Sequence, residues 1–363
     1  MDSPESRKAY EEYYHPISRA KGDAVAREFL DRISAVGQYP SFLDRKDSPF
    51  VVADFGTGTG GLAEGILPVV LGSLPAETPV ELWLYDKSEE ALRIAPQNIR
   101  KTLTGLAVRI HPVRCTFPGS VRLPDTLHFL IQGNLLAEMD DGAADQIYRP
   151  LGESLRRMAP GGALIWVEPA DRISSRRLLS LRDRMIKLYP EFIVLAPCPN
   201  LRNASCPALK TDKDWCHEDR PYAFSEDVRR LAKTVGHIKD SLKMTYIIAM
   251  KRHDDFPFRT STMPVWRLVS ELREETGLAW GIFCDGAERR RIRILKRYKN
   301  EGNKTFWKLG RGDTILPPPE DQMNARSGFW DLSPQAEIRL VPGSSENGAG
   351  SAMPEQGQDR PWT

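Results

Sequence analysis

Residues 49–61 read PFVVADFGTGTGG, and this stretch decides the fold. The apolar run PFVVADF (49–55) is short and stops at glycines, as buried parallel strands do. Glycines in a turn between a strand and a helix allow the backbone to turn sharply and to approach a ligand closely. A helical pattern follows at 62–71, and its first amides can face an anion. The stretch therefore predicts a strand, a glycine-rich turn and a helix.

The same alternation continues through the next two hundred or so residues. Strand patterns and helix patterns follow one another closely, which favours a parallel sheet covered on both faces. Strands are predicted at 80–86, 106–113, 126–133, 163–169, 192–197 and 244–250, and helices at 88–103, 142–162, 173–187 and 225–235. The chain is therefore predicted to have an α/β fold.

Two acids stand at informative positions beside the glycines. Asp54 comes directly before them, where it can accept a hydrogen bond from a ligand's ammonium group, and Asp86 ends the second strand, where it can hold both hydroxyls of a ribose. This order resembles the class I methyltransferases, whose cofactor is S-adenosylmethionine; a nicotinamide cofactor and a fold that has lost its ligand are the alternatives. The residues expected to bind the cofactor are Asp54, Gly56, Thr57, Gly58, Gly60, Asp86 and Asn134.

The end of the fourth strand, where such enzymes hold the methyl acceptor, reads QGNLLAE (132–138). It contains neither an Asn-Pro-Pro-aromatic tetrapeptide nor a proline-cysteine pair. Asn134 or Glu138 could touch a substrate, and each could equally cap the following helix. The sequence therefore predicts the cofactor site and leaves the catalytic residues unknown.

The composition is that of a soluble globular protein, since 40% of the 363 residues are hydrophobic and 28% are charged. No apolar run is long enough for a transmembrane helix. The N-terminus, MDSPESRKAYEEYY, resembles neither a secretory signal nor a transit peptide. We therefore expect a monomeric cytoplasmic protein, with no membrane or DNA partner, in a compartment where clustered cysteines serve as metal ligands or catalytic groups rather than disulfides.

Three of the five cysteines lie in one stretch, CPNLRNASCPALKTDKDWCH (198–217). The gaps between Cys198, Cys206 and Cys216 are too long for the paired knuckles of a zinc ribbon, and too long for radical S-adenosylmethionine chemistry. An iron–sulfur site is favoured over zinc, and free cysteines are the alternative. The fourth ligand is either His217, which adjoins Cys216 and would need a distorted backbone, or Cys284.

The segment 251–313 is basic, with 15 Lys and Arg against 9 Asp and Glu in a chain of net charge +2. Such a segment indicates a polyanionic partner, although a solvated surface or a basic edge strand is the alternative. Arg291 and Arg293 share one face of a predicted strand that could track RNA phosphates, and Trp307 with Lys308 could stack on a base. The predicted RNA-binding residues are Arg289, Arg290, Arg291, Arg293, Lys296 and Arg297.

Several blocks together resemble the methyltransferase-like family of the mitochondrial small ribosomal subunit and its bacterial relatives. They are ADFGTGTGG (53–61), NLLAEM (134–139), MAPGGALIWVEPAD (158–171), APCPN (196–200), CPAL (206–209), DWCH (214–217), TYIIAMKR (245–252), GIFCDG (281–286) and WKLGRGD (307–313). The resemblance implies a Rossmann-like class I methyltransferase sheet that carries a 4Fe-4S cluster. It also implies that Cys198, Cys206, Cys216 and Cys284 are the cluster ligands.

The resemblance implies a partner as well, the small ribosomal subunit and its rRNA. Two functions follow: an S-adenosylmethionine-dependent rRNA methyltransferase, and a non-catalytic assembly factor with the same fold. We expect the cluster to fix the basic unit against the methyltransferase domain without transferring electrons. The expected organisation is a helical lead-in (1–48), a methyltransferase domain (49–252), a small basic β-rich C-terminal unit (253–334) and a disordered tail (335–363).

Overall fold

The protein is described from a computed structural model that covers residues 10–35, 48–75, 77–119, 121–199, 204–234, 236, 240–253 and 264–341. Predictions for 1–9, 36–47 and 342–363 lie outside these residues. Within them, no helix is long and apolar enough to cross a membrane.

Seven α-helices and sixteen strands are formed by the described residues. A π-helical turn (Tyr10–Tyr14) leads into α1 (His15–Ala35), followed by α2 (Gly61–Leu71), α3 (Glu89–Thr102), α4 (Asp141–Gln146), α5 (Tyr148–Arg157), α6 (Arg172–Leu188) and α7 (Glu226–Thr234). The strands are β1 (Phe50–Phe55), β2 (Val80–Asp86), β3 (Val108–Arg114), β4 (Leu127–Gly133), β5 (Met158–Glu168), β6 (Phe192–Ala196), β7 (Glu218–Pro221), β8 (Ser241–Lys251), β9 (Trp266–Leu268), β10 (Arg273–Glu275), β11 (Leu278–Cys284), β12 (Arg289–Leu295), β13 (Thr314–Leu316), β14 (Met323–Arg326), β15 (Phe329–Leu332) and β16 (Arg339–Leu340).

The first sheet has the order β3-β2-β1-β4-β5-β8-β6, with β7 paired to β8. The pairs β1–β2, β2–β3, β1–β4 and β4–β5 are parallel, whereas β8 is antiparallel to both β5 and β6. The order reverses between β1 and β4, which is the switch point where doubly wound sheets bind ligands. The antiparallel strand between β5 and β6 gives the class I methyltransferase arrangement, so the predicted fold class is confirmed.

Helices cover both faces of this sheet, and this explains why β1 is a continuous apolar run with every residue buried. Val52 faces a core that includes Phe29 of α1 and Ile66 of α2. Ala53 and Phe55 face a second core on the opposite side of the sheet. Side chains of β1 thus face the two cores alternately, and the glycine turn follows at the end of a strand that is buried on both sides.

The C-terminal strands form a second sheet in the order β14-β15-β12-β11-β9-β13-β16, with β10 paired to β11. Its inner face buries Phe283, Ile292, Ile294 and Phe306 in a separate core. This is the small β-rich unit that the sequence predicts. As expected, Ile292 and Ile294 lie on the face opposite Arg291 and Arg293.

The largest differences from the predicted boundaries lie at two places. The helix predicted at 142–162 is two helices that end at Arg157, and Pro160-Gly161-Gly162 lies inside β5. Gly161 has a φ of 77°, and the register of β4 against β5 shifts between Leu127 and Phe129, so the Pro-Gly-Gly sequence forms an irregularity in the sheet. The predicted tail also begins too early, because Leu340 of β16 pairs with Ile315.

Candidate functional site

The glycine turn after β1 is held against the end of β2. The amides of Gly56 and Thr57 donate to the Tyr85 carbonyl at 2.9 and 3.0 Å. Gly56 and Gly58 have φ values of 66° and 53°, which residues with a side chain rarely adopt. The sequence therefore needs glycine here so that the turn can present its backbone to the space above the sheet.

That space is a cavity of about 520 Å³, within the usual size of small-molecule sites. It lies at the carboxyl ends of β1, β2 and β4. Four of the predicted cofactor residues line it, namely Gly56, Gly58, Asp86 and Asn134. Asp54 and Thr57 line a narrow adjoining cavity of about 20 Å³ together with Gly56 and Asn134.

Asp54 is 2% exposed and accepts a 2.7 Å hydrogen bond from the Thr57 hydroxyl. Burial raises the pKa of Asp54 to about 7, the Thr57 hydrogen bond opposes this rise, and the nearby Asp86 adds to it. A buried carboxylate with so little compensation favours a cationic ligand.

Asp86 has a second task that the sequence did not reveal. Its two carboxylate oxygens accept hydrogen bonds from the amides of Gly58 (2.8 Å) and Ser88 (2.9 Å), so it fixes the glycine turn while it faces the cavity. Gly60 does not line either cavity. A Cβ on Gly60 would lie 3.2 Å from Ile99 and 3.3 Å from Ala95, so its role is close packing of the turn on α3.

Two aromatic residues of the N-terminal turn, Tyr10 and Tyr14, line the cavity although the sequence did not single them out. Burial raises the pKa of Tyr10 to about 12, with further contributions from Glu138 and Asp86. Nothing in the sequence beyond the tyrosines of YEEYY (10–14) points to this role. The tyrosines reach the cavity because of the way α1 packs, which the sequence does not reveal. The N-terminal turn therefore covers part of the site.

The segment after β4 is held from below by Glu168 at the end of β5. This buried carboxylate accepts hydrogen bonds from the amides of Leu136 (2.9 Å) and Ala137 (3.2 Å) and from the Trp166 indole (2.8 Å). Burial raises the pKa of Glu168 to about 7 against these hydrogen bonds. Asn134 has a left-handed φ of 55° at the start of this segment.

The four cysteines expected as cluster ligands, Cys198, Cys206, Cys216 and Cys284, line one cavity of about 30 Å³. His217 does not line it, and its ring stacks on Trp215 with centroids 5.7 Å apart. Of the two candidates for a fourth ligand, the structure therefore brings Cys284 to the other three.

Three arginines, Arg182, Arg267 and Arg289, also line this cavity. A guanidinium nitrogen of Arg182 lies 3.6 Å from the Cys198 sulfur. Among the described residues, the Nε atoms of Arg182 and Arg289 are buried without a hydrogen-bond partner. Buried cations beside grouped thiols form a pocket suited to an anionic group.

Burial acts on three of these thiols. Burial raises the pKa of Cys284 to about 12 and also raises those of Cys206 and Cys216. In the part of the chain that the structure describes, no three His, Cys, Asp or Glu side chains are placed to hold a single metal ion.

The predicted RNA-binding residues fall into two groups. Arg289 turns inward, where it pairs with Asp214 at 2.5 Å, and Arg290 lies on the inner face over the rings of Trp266 and Trp330. The outward group is Arg291, Arg293, Lys296 and Arg297, of which all but Arg293 are exposed. Trp307 is half-buried, with the Lys299 ammonium 4.9 Å from its ring centre.

Comparison with models of protein families identifies a family that this chain matches. The model of a family described as Rsm22, mitochondrial small ribosomal subunit Rsm22, matches residues 86–312. No curated protein matches the chain.

Comparison with solved structures gives methyltransferases at low identity. The plantazolicin methyltransferase BpumL in complex with SAH is 12% identical with a TM-score of 0.36, and the match covers 69% of this chain and 92% of that one. Loganic acid methyltransferase with SAH is 11% identical with a TM-score of 0.40, covering 67% and 97%. A methyltransferase from Pyrococcus furiosus is 12% identical with a TM-score of 0.33, covering 62% and 98%. The fold assignment therefore depends on the strand order and pairing described above.

Proposed function

The chain belongs to the Rsm22 family of the mitochondrial small ribosomal subunit, since the matched residues 86–312 make up more than half of it. From this premise we propose that it is an S-adenosylmethionine-dependent methyltransferase-like protein that acts on the small ribosomal subunit or its rRNA. The cytoplasmic location and monomeric state expected from the sequence remain predictions.

The observation that carries the proposal is the position of two acids at the switch point of the sheet: Asp86 lines the large cavity, and Asp54 lines the narrow cavity that adjoins it. The Asp54 carboxylate would accept a hydrogen bond from the cofactor's ammonium group, and Asp86 would hold the ribose hydroxyls. Gly56 and Gly58 leave room for the cofactor to lie against the backbone. The bound cofactor would supply an electrophilic methyl group.

The chain's own contribution to methyl transfer would be mainly positioning. Glu168 holds the segment after β4 in place, so that Asn134 and Leu135 form a fixed wall of the cavity. Phe117 and Met139 add apolar surface to the same cavity and would exclude water from the reacting groups.

One observation favours a second candidate function, that of a small-subunit assembly factor. Such a protein would have the same fold and bind rRNA, but it would not catalyse methyl transfer. Glu138 is a carboxylate at the acceptor end of the cavity, and it is already paired with Lys87 at 3.3 Å. A general base must lie within hydrogen-bond reach of the proton that it takes up, and this carboxylate lies against Lys87 instead.

Methyl transfer distinguishes the two candidates. The chain would be purified without oxygen and incubated with methyl-labelled S-adenosylmethionine and small subunits from a strain that lacks it. The enzyme predicts label at one position of the rRNA. An assembly factor predicts binding to the same subunits and no label. Failure both to bind and to label the subunits would contradict both functions.

We further propose that Cys198, Cys206, Cys216 and Cys284 hold a 4Fe-4S cluster, with zinc as the alternative. Support comes from their common cavity and from the buried arginines that line it. A four-iron cluster binds each thiolate through a different iron and so separates the sulfurs more widely than a single ion does.

The cluster would join two parts of the molecule, because Cys284 ends β11 of the second sheet and the other three follow β6 of the first. Replacing Cys206 with Ser is expected to remove the brown absorbance of the anaerobically purified protein and to weaken RNA binding. Cys115, which lines the large cavity instead, provides the control Cys115→Ser, which should keep both properties. Unchanged absorbance and RNA binding in the Cys206 variant would contradict the cluster proposal.

A further inference from the structure

The outer face of the second sheet combines aromatic rings with arginines. Five strands form it, in the order β10-β11-β12-β15-β14. Across neighbouring strands, Trp280 lies opposite both Arg273 and Arg293. Arg293 also lies opposite Asp331, and Phe329 lies opposite Arg326. Directly opposite residues on neighbouring strands share a face. Trp280 and Phe329 thus stand on one surface, at the middle of five strands.

Trp280 and Phe329 form an edge-to-face pair with ring centres 5.6 Å apart. Both are half-buried, so each keeps part of its ring accessible. Neither belongs to the apolar core on the inner face of this sheet. Packing of the core therefore does not explain the two rings.

Guanidinium groups frame the two rings. Arg273 lies 5.1 Å from the centre of the Trp280 ring, and Arg293 lies 4.7 Å from that of Phe329. Arg291 lies 5.9 Å from the Phe329 ring and is itself exposed. Cations at this distance hold the rings in place and leave a positive surface beside them.

The charge of this face favours a polyanion. Four arginines stand on it, namely Arg273, Arg291, Arg293 and Arg326. Its acids are Glu275, which accepts the Trp280 indole N–H at 2.7 Å, and Asp331, which pairs with Arg293. The exposed Lys296 and Arg297 continue the positive charge beyond the end of β12.

We propose that this face is a stacking platform for unpaired nucleotides of RNA, with Trp280 and Phe329 as the stacking rings. A duplex keeps its bases stacked inside, so partly accessible rings on the face of a sheet can stack only on the bases of a single-stranded segment. The surrounding arginines contact the phosphates. The platform deepens the proposed function, because it names the form of RNA that the basic unit binds.

The test uses the full chain, purified without oxygen, and fluorescence anisotropy with a labelled single-stranded RNA of about 12 nucleotides and a hairpin duplex of similar length. Trp280→Ala and Phe329→Ala are each expected to weaken single-strand binding about tenfold and to leave the salt dependence unchanged. Trp280→Phe should keep most of the affinity, because it retains an aromatic ring. This variant also serves as a control for folding, since it changes the same position conservatively.

Loss of an arginine should affect binding differently from loss of a ring. Arg291→Ala is expected to weaken binding to both RNAs and to reduce the slope of affinity against salt by about one. Arg109→Ala removes a 75% exposed arginine on β3 of the first sheet and is the matched control, with no change expected.

The outcomes separate the platform from the function it depends on. If both aromatic variants bind single-stranded RNA as the parent does while Arg291→Ala is weakened, the platform is overturned and the rRNA partnership stands. Equal loss of duplex and single-strand binding in Trp280→Ala also overturns it. A parent that binds neither RNA contradicts the platform and the proposed rRNA contact together.

Discussion

At the scale of single residues, the main feature is a carboxylate without a partner of opposite charge among its close contacts. Asp54 is buried, and among the residues that the structure describes the Thr57 hydroxyl is its one side-chain hydrogen-bond donor. Its pKa of about 7 lies above the unfolded value of about 3.9. The folded protein therefore loses stability as the pH rises from about 4 to 7. Over this range the unfolded chain releases the proton of Asp54, whereas the native state must keep it or bury a negative charge.

Replacing Asp54 with Asn should have two opposite effects. Without cofactor, the variant should be more stable than the parent at pH 8 by roughly 1–3 kcal/mol and no more stable at pH 4, because it lacks the buried charge. It should bind S-adenosylmethionine at least about tenfold more weakly, because the ammonium group loses its carboxylate.

Thermal unfolding across pH and calorimetric titration measure the two effects. In the parent, affinity should rise with pH from about 5.5 to 7.5 as Asp54 ionises. The variant should lack this rise. Equal affinity and the same pH dependence in both proteins would show that Asp54 does not face the cofactor.

Residues whose role depends on their neighbours in the sequence were predictable. Ser88 begins the helix predicted at 88–103 and caps α3 with its hydroxyl 3.2 Å from the Ala91 amide, and Asp86 ends β2 beside the cavity. Arg289 and Tyr10 were not predictable in this way. Arg289 turns toward Asp214, 75 residues earlier, and Tyr10 reaches the glycine turn only through the packing of α1. Contacts between distant segments leave no local pattern.

At the scale of elements, the crossing of α1 and α2 decides how closely the N-terminal region approaches the site. The two helices meet at Gly22 and Gly65. A Cβ on Gly65 would lie 2.1 Å from the Arg19 carbonyl oxygen, and one on Gly22 would lie 2.4 Å from the Leu62 carbonyl oxygen. Both obstacles are backbone atoms, so only a shift of a whole helix could relieve them.

Gly65→Ala is expected to destabilise the protein by about 2–3 kcal/mol, because the helices must separate. Gly142→Ala in α4 is the matched control, since the nearest atom to its Cβ would be an Asp140 side-chain oxygen at 3.5 Å. The control should be neutral or slightly stabilising, because alanine favours a helix. Urea unfolding measures both, and equal midpoints for the two variants would contradict the close crossing.

Strand and helix types were largely predictable, and boundaries were less so. Val80–Asp86 is a strand with the predicted bounds, because its apolar pattern ends in a run of polar residues. Pro160-Gly161-Gly162 was expected to end a helix and lies within β5, since pairing with β4 outweighs the local preference of these residues for a turn. Tertiary pairing decides such cases.

At the scale of the whole molecule, a buried group of charges joins three regions. Glu28 of α1, Glu218 and Arg220 of β7, Tyr246 of β8 and Arg267 of β9 contact one another. Arg220 lies 2.5 Å from both Glu28 and Tyr246, and Arg267 donates to the Pro197 carbonyl at 3.1 Å. The network thus connects the N-terminal helix, the first sheet and the second sheet beside the cysteine cavity.

Glu28→Gln should destabilise the protein by about 3–5 kcal/mol at pH 7, because it takes the paired carboxylate from the buried Arg220 and leaves Arg267 with Glu218 alone. Burial alone would raise the pKa of Glu28, but Arg220 and Arg267 outweigh it and hold that pKa below its usual range. The stabilisation is therefore present at neutral pH and is lost as the pH falls below about 4.

Asp23→Asn is the control on the same helix, because Asp23 pairs with Arg27 at an exposed position. Its expected cost is below about 1 kcal/mol. Urea unfolding at pH 7 compares the two, and a cost for Glu28→Gln no greater than that of the control would contradict a network that joins the three regions.

The cavity above β1 and β4 is proposed to hold S-adenosylmethionine. Calorimetric titration of the cofactor into the anaerobically purified chain tests it directly, with Gly58→Val as the comparison. Valine there would adopt an unfavourable φ of 53° and fill space beside Tyr10. The parent should bind one cofactor per chain, and the variant should bind none. No binding by the parent, or equal binding by both, would contradict this proposal.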